Sequence, residues 1–414
     1  MKIIIIGSGV IGVTTAYELL KSGYEVALFD RQPSPACETS YGNAGLIAPG
    51  HSYAWTVPKI PGQIFKSIFK KNKHFKFKFQ WDINMWLWGM QFVFQCTSSK
   101  MEQNTLRKYK LSNYSQKCFH NIINENNFNF YENKKGLIYI FRNSESFEQG
   151  KKKLQLFNSS IDGFKLLDYD DLIKLEPSLK YVKDGVFGGI YCQSDESGSC
   201  SDFTIQLAEK CKKMGAEFHY NTNVNNFSLI NNNIVNIQTN KGNFYSDKYI
   251  IACASFSSLL AKKLGEYIPI YPVKGYSITV PIVNKKNAPQ HSGIDEDNLL
   301  AFSLMGNRIR FTSMAEISDY NTEYRLEDFS QIIDYSASLF PNICDYSNAE
   351  YWCGLRPMTP TGSPIIGRNK INNLYYNTGH GHLGWTMSAG SAKIIKDIIM
   401  GNKPDIEMSG MFLA

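Results

Sequence analysis

Three glycines and an aspartate near the start of the chain have the spacing of a phosphate-binding site. Gly7-Ser8-Gly9-Val10-Ile11-Gly12 reads GxGxxG, and Asp30 lies 18 residues beyond Gly12. Gly7 allows a tight turn, Gly9 lets the backbone approach a pyrophosphate, and Gly12 lets a helix pack on a strand. A helix opening at this point turns free N–H groups and a partial positive charge toward phosphates. A carboxylate at position 30 can accept hydrogen bonds from ribose hydroxyls. That chemistry requires a strand before the glycines, a helix after them and a second strand ending at the acid. The chain supplies KIIII at 2–6, VTTAYELLKSG at 13–23 and EVALF at 25–29. The pattern predicts a dinucleotide site. A βαβ unit that merely has glycines at its turn is the alternative.

The next stretch, RQPSPACETSYGNAGLIAPG at 31–50, has too many prolines, glycines and small polar residues for regular structure. Such a loop can wrap a cofactor with backbone groups. Thr39 and Ser40 offer hydroxyls, and Asn43-Ala44-Gly45 is a small turn suited to lie against a flat ring. A plain surface loop is the alternative. Late in the chain, GHGHLGWTM at 379–387 precedes a helical pattern from Ser388 to Met400. Gly379 to Trp385 can turn backbone N–H groups and a helix N-terminus toward an anion, and Ser388 to Ala392 are small enough for close approach. His380 and His382 have no companion ligand cluster, so a metal is not expected.

At 414 residues the chain is long for one domain, so two domains sharing a cleft are expected. The nine cysteines are scattered without a CxxC pair, which points to reduced thiols in the cytoplasm. No stretch of about 18 uncharged apolar residues is present to span a membrane. The net charge of +7 is local: seven lysines and no acid lie between Lys59 and Gln80, and the remainder sums to zero. That distribution argues against a nucleic-acid partner.

Along the chain, residues 64–71 (IFKSIFKK) read as an amphipathic helix and 74–81 alternate with period two. Residues 84–96 read as a largely buried helix, and 100–125 as a polar helix with a stripe at Leu106, Tyr109, Leu111 and Tyr114. Asp202 can cap a helix, and residues 226–245 read as a hairpin. The segment 270–315 is a run of strands, expected as a long antiparallel sheet. No linker is visible, so the domains interleave.

Five segments occur in order: the glycine motif, ETSYGNAGLIAPG, YPVKGYS, GLRPMTPTGSPIIG and NTGHGHLGWTMSAG. Together they resemble the FAD-dependent D-amino-acid dehydrogenases of bacteria, within the D-amino-acid oxidase/glycine oxidase superfamily, over essentially the whole chain. The resemblance implies an α/β fold of α+β, two-domain type. A glutathione-reductase-like FAD-binding domain would take 1–60, 191–268 and 351–414, and an antiparallel-sheet substrate domain 61–190 and 269–350. It also implies FAD as cofactor and a small-molecule amino-acid substrate oxidised to an imino acid, which hydrolyses to a 2-oxo acid and ammonia. Electrons would pass to a quinone or other acceptor rather than to oxygen. Asp30 stands where the family often has Glu, and His382 where Thr is more usual. His51-Ser52-Tyr53 replaces a more apolar stretch.

The resemblance assigns the substrate carboxylate to Arg356, which can bind it bidentately; an arginine bridging loops is the alternative. It sets Tyr276 beside the substrate, against an aromatic at the domain seam. Lys274 would contact flavin or carboxylate, or else solvent. His51 and Tyr53 would line the pocket or face solvent. Cofactor contacts are assigned to Ile6, Gly7, Gly9, Val10, Ile11, Gly12, Asp30, Arg31, Thr39, Ser40, Asn43, Ala44, Gly45, Leu46, Val224, Ala252, Gly354, Gly381, His382, Leu383, Gly384, Trp385 and Thr386. No catalytic base stands out. The same flavin motifs serve hydroxyproline, opine and other secondary-amine dehydrogenases, and a similar substrate sheet serves tRNA-modifying flavoproteins. A nicotinamide-dependent enzyme would leave GHGHLGW unexplained. Finally, Ile64, Phe65, Ile68, Phe69, Phe75, Phe77 and Phe79 stand between the lysines of 59–80. That pattern suits peripheral contact with an anionic membrane, such as the cytoplasmic face of the inner membrane. The alternative packs the rings inward and leaves a solvated lysine face.

Overall fold

The isoleucine run forms the strand Lys2–Ile6, with Ile3 to Ile6 all buried. An unbroken β-branched run suits a parallel strand covered on both faces. The computed structural model describes residues 1–62, 75–78, 80–157, 163–182 and 185–411. Within it, Lys2–Ile6 lies inside a six-stranded sheet ordered Ile365–Arg368, Leu374–Thr378, Lys248–Ile251, Lys2–Ile6, Glu25–Phe29, Glu217–His219. All pairings are parallel except that between the first two strands. The helix Val10–Lys21 returns along one face and packs against Cys200–Lys213 and Gly384–Met400, and the long helix Ser98–Glu125 lies on Gly384–Met400. Their apolar sides make one core with Phe119, Phe130, Phe203 and Trp385.

A second, nine-stranded sheet is mostly antiparallel. Its order is Glu350–Met358, Tyr271–Pro281, Arg308–Ile317, Leu300–Met305, Ser292–Asp295, Leu137–Phe141, Gly188–Cys192, Phe164–Leu167, with Phe75–Phe77 added beside Arg308–Ile317. Ser292–Asp295 and Leu137–Phe141 run parallel, as do Arg308–Ile317 and Phe75–Phe77. One face carries the helix Ser330–Leu339 over a core including Tyr276, Phe302, Phe311 and Phe329. The edge strand Glu350–Met358 meets the turns Ala254–Phe256 and Gly381–Leu383. These turns follow strands of the first sheet, so the edge of one sheet lies over the carboxyl ends of the other, where open α/β sheets bind ligands.

Several expectations are corrected. Glu350–Met358 was grouped by sequence with the third cofactor segment, but nine consecutive pairings with Tyr271–Pro281 make it part of the large sheet. The 226–245 hairpin is a three-stranded sheet, Val224–Ile230, Asn233–Thr239 and Gly242–Tyr245. The helix Ile83–Gln95 buries only Met85, Trp88 and Phe92, because it is apolar on every side and the protein covers one. On Ser98–Glu125 the buried stripe is Thr105, Lys108, Leu111, Ser112, Ser115, Phe119 and Ile122 rather than the one through Leu106 and Tyr109. Small polar side chains carry it because the final helix crosses there closely, with Ser115 Oγ accepting from the Gly390 N–H at 3.0 Å. The helix expected at 64–71 lies outside the described residues.

Candidate active site

The glycine turn joins its three elements by close contact. Gly7 has φ +109°, and a Cβ there would sit 2.5 Å from the Ala252 carbonyl oxygen, while a Cβ at Gly12 would lie 1.9 Å from the Gly7 oxygen. Ala252 in turn donates to the Ile6 carbonyl at 2.9 Å. Val10 is buried in the helix core and Ile11 packs against it, so these residues face the crevice with backbone only. Gly9 opens the helix with no side-chain cap. Ser40 Oγ instead accepts from the Val10 N–H at 3.0 Å. Asp30 is engaged locally: one carboxylate oxygen accepts from the Ser8 N–H (2.6 Å) and hydroxyl (2.7 Å), the other from the Gln32 N–H (2.9 Å). Thr222 N–H donates to the Asp30 carbonyl at 2.8 Å, two residues before the strand Val224–Ile230 begins. Val224 itself is buried with Ile6 and Phe29, leaving its main chain for any contact. Arg31 is occupied: it pairs with Glu38 at 2.6 Å and lies 3.8 Å over the Phe256 ring.

The wrapping loop connects the two sheets. Thr39 Oγ1 donates to the Leu355 carbonyl at 2.9 Å, and Asn43 Oδ1 accepts from the Gly45 N–H at 2.9 Å. Ala44 is half-buried between them. Leu46–Ile47 pairs with Glu196–Ser197. Ala48 N–H then donates to Thr386 Oγ1, at 3.1 Å, on the final helix. That helix also starts without a side-chain cap, after the turn Gly381–Leu383. Gly384 opens it, while Leu383 and Trp385 turn their side chains into the helix core. Gly42 and Gly354 flank the Trp352 indole, with added Cβ atoms at 2.1 and 2.0 Å from it.

Beyond the loop, Lys108, His51 and Arg356 all act electrostatically on His382. Arg356 lies over Gly275, where a Cβ would be 2.5 Å from its Cζ. Its Nη1 donates to the Met314 carbonyl at 2.8 Å. A bulge opposite Gly275, with Met314 at φ 66°, turns that carbonyl inward. Among the described residues Arg356 has no carboxylate partner, and burial lowers its pKa to about 10. His382 stacks on Trp55 at 4.9 Å. Burial, then Lys108, His51 and Arg356, push the His382 imidazole well below its ordinary pKa, so it is neutral. His51 pairs with Glu296 at 2.7 Å and stacks on Tyr139 at 5.2 Å. Tyr53 stacks on Phe157 at 5.1 Å. With Tyr139, Lys153 and Glu296, His51 and Tyr53 line a small cavity.

Residues 50–54 are held from outside. Gly50 N–H donates to Asp195 at 3.0 Å, Ser52 Oγ to Ser112 Oγ at 2.9 Å, Ala54 N–H to Thr105 Oγ1 at 3.1 Å, and Lys108 Nζ to the Tyr53 carbonyl at 2.7 Å. Tyr139 donates to the other Asp195 oxygen, and burial raises that carboxyl to about 6. The sequence did not point to Lys108, Trp55, Asp195 or Trp352. Lys108 does share the helical phase of Leu111, Ser115 and Ile122, which was the available signal.

Tyr276 is not at this site. Side chains on Tyr271–Pro281 alternate, and Arg356 shares the face of Val273 and Gly275. Tyr276 points the other way, into the core under Ser330–Leu339, with its hydroxyl donating to Glu316 at 3.0 Å. Lys274 shares that face and donates to the Glu323 carbonyl.

Two helix N-termini whose own N-cap residues make no side-chain cap, beside a glycine turn and a cleft holding the acid-free Arg356, suit a flavin-dependent oxidoreductase of the two-sheet kind. The helix starts are lined by Gly9, Ser40 and Gly384, small residues beside free N–H groups of the kind that bind a pyrophosphate and the anionic edge of a ring, so the residues present fit FAD. Residues 2–398 match the family described as FAD dependent oxidoreductase (DAO), and the chain belongs to that family. It is 38% identical over 408 residues to a D-amino acid dehydrogenase of Rhizobium johnstonii, covering 98% of both chains. It is 38% identical over 414 residues to one of Azorhizobium caulinodans, covering 100% of this chain and 99% of the other. Among solved structures, glycine oxidase from Geobacillus kaustophilus superposes with a TM-score of 0.78 at 18% identity, covering 100% and 98% of the two chains. The protein is an FAD-dependent oxidoreductase.

Proposed function

We propose that the protein oxidises a D-amino acid to the imino acid, which hydrolyses to a 2-oxo acid and ammonia, with electrons passing to a quinone. The dehydrogenase relatives support this reading, and the observation that carries it is Arg356. A buried guanidinium without an acid is costly unless an anion arrives, and a substrate carboxylate is an anion of matching geometry. When bound, FAD supplies the hydride acceptor. The glycine turn and Ser40 would hold its pyrophosphate, the loop 39–46 would wrap its ring, and the N-terminus of Gly384–Met400 would face its N1/C2=O edge. Arg356 then orients the substrate, and neutral His382 with Trp55 walls its other side and excludes water. The test is dye-linked oxidation by the yellow purified protein. D-amino acids should yield a 2-oxo acid and ammonia in equal amounts. Turnover confined to hydroxyproline or opines would overturn the D-amino-acid reading.

The quinone proposal includes peripheral contact with an anionic membrane near residues 59–80. The helix beside that segment supports it: Ile83 (71% exposed), Leu87, Met90 and Phe94 (70%) form one outward stripe. Among the described residues no helix is long and apolar enough to cross a membrane. Sedimentation with vesicles tests the contact. Binding should need anionic lipid, weaken with salt, and fall when Ile83, Met90 and Phe94 become Ser. Binding unchanged in that variant would rule out this surface.

A further inference from the structure

Lys108 is 1% exposed, midway along the helix Ser98–Glu125. Among the described residues its Nζ makes one hydrogen bond, to the Tyr53 carbonyl at 2.7 Å. No carboxylate pairs with it among the described residues. The groups around it are Tyr53 from the loop, whose carbonyl it meets, and Gly362 beyond the edge strand, where an added Cβ would lie 3.9 Å from Nζ. His382, from the turn before the final helix, lies within electrostatic reach of Lys108 as it does of His51 and Arg356. The charges of the final helix lie farther along: Lys393 reaches Tyr114, and Lys393 and Asp397 act near Cys118 and Tyr114 rather than on Lys108. On its own helix, Arg107 turns toward Asn104 and Gly410. The bond to Tyr53 ties the loop to the helix, but one neutral acceptor does not offset the burial of an ammonium, so the site favours the uncharged amine.

We propose that Lys108, as the neutral amine, takes the proton from the substrate's ammonium group; this rests on the amino-acid oxidation proposed above. Hydride can leave the α-carbon only when the nitrogen lone pair is free to form the C=N bond. An amino acid arrives as a zwitterion, so one proton must go first. Burial lowers Lys108 to about 7, so a large share of it is the neutral amine near physiological pH. The substrate carboxylate, once on Arg356, adds a negative charge to the cluster and raises the proton affinity of Lys108. One N–H bond of the substrate breaks and one forms on Nζ. The α-hydrogen then leaves with its electron pair to the flavin, and the nitrogen lone pair completes the imine. When the carboxylate departs, Lys108 returns its proton to solvent.

The first test needs no turnover and no variant. In weakly buffered solution at pH 8, saturation of the FAD-loaded protein with a 2-oxo carboxylate should take up close to one proton per site. Lys108→Met should bind the same carboxylate without uptake. Wild-type binding without uptake would overturn the proposal. The second test is kcat/KM for D-alanine against pH. Lys108→Met should lose about a hundredfold at pH 7, the scale of general-base catalysis. The loss should shrink to a few-fold near pH 10, where free amino acid already carries a neutral amine. Lys108→Arg keeps a long basic side chain but is always protonated and cannot accept a proton, so it should share the neutral-pH loss. A loss equal at every pH, or full activity in Lys108→Arg, would assign Lys108 a structural role and overturn the proposal. If wild-type protein takes up the proton yet oxidises no D-amino acid, the proposed function fails while the proton site stands.

Discussion

The cofactor end and the substrate end of the crevice are built in opposite ways. Between Gly7 and Asp30 the work falls to backbone: Val10 and Ile11 are core residues, Asp30 is tied to Ser8 and Gln32, and glycines let the chain approach itself. At the proposed substrate end the work falls to side chains from distant segments: Arg356 has no carboxylate partner among the described residues, His51 is paired with Glu296, and Lys108, His51 and Arg356 all act on His382. A backbone site fails when a side chain is added. A side-chain site fails when a charge is taken away.

The largest expected effect tests the first half of that contrast. Gly12→Val places a side chain on the Gly7 carbonyl, and overpacking against backbone should cost about 3 kcal/mol or more. The variant should lose FAD and unfold earlier by calorimetry. Gly9→Val meets only the movable Ser40 hydroxyl at 3.2 Å, so it should keep its apoprotein stability while flavin content collapses. Full flavin in Gly9→Val would misplace the pyrophosphate site.

Arg356→Ala probes the other half. Losing a charge-assisted pair in a closed site should reduce kcat/KM by the equivalent of about 2–5 kcal/mol. An amine lacking a carboxylate should scarcely notice. Equal losses for both would show that Arg356 supports the sheet rather than the substrate.

A smaller effect concerns Asp195, which holds the loop between the two ends. Its folded pKa, about 6, is raised above that of the unfolded chain. The contribution of the protonated carboxyl is therefore complete below about pH 4 and is lost as pH rises through about 6. Asp195→Asn should flatten stability over that window, a difference on the order of 2–3 kcal/mol in chemical denaturation. An unchanged pH profile would place the titration elsewhere.

The smallest effect is predicted for Tyr276→Phe. Its hydroxyl reaches Glu316 on the face away from Arg356, so the variant should lose about 1 kcal/mol of stability and leave KM within twofold. A tenfold rise in KM would mean the strand presents its other face to the substrate.

Residues with a local job were legible. Gly7, Gly9, Gly12 and Asp30 lie within one βαβ unit, where chain order and spatial order coincide. The wrapping loop was legible for the same reason, since its small residues follow directly. Tyr276 was not, because its motif gave the strand but not which face met the crevice. Lys108 was not, because the stripe that buries it is made of Thr105, Ser112 and Ser115, which carry no hydropathy signal. The helix Ile83–Gln95 was misjudged because apolar residues on every side say nothing about how many sides are covered.

From the sequence alone came the strand–turn–helix at the start, the cofactor class it serves and the basic segment. Each depends on residue type and short spacing, which local sterics and charge translate into structure directly. Only the tertiary structure decided that Glu350–Met358 joins the large sheet, that Tyr276 turns away from Arg356, and that Lys108 reaches the Tyr53 carbonyl. These depend on strand register and helix phase. A one-residue slip in either moves a side chain to the opposite face, and only packing against the rest of the chain excludes the slip.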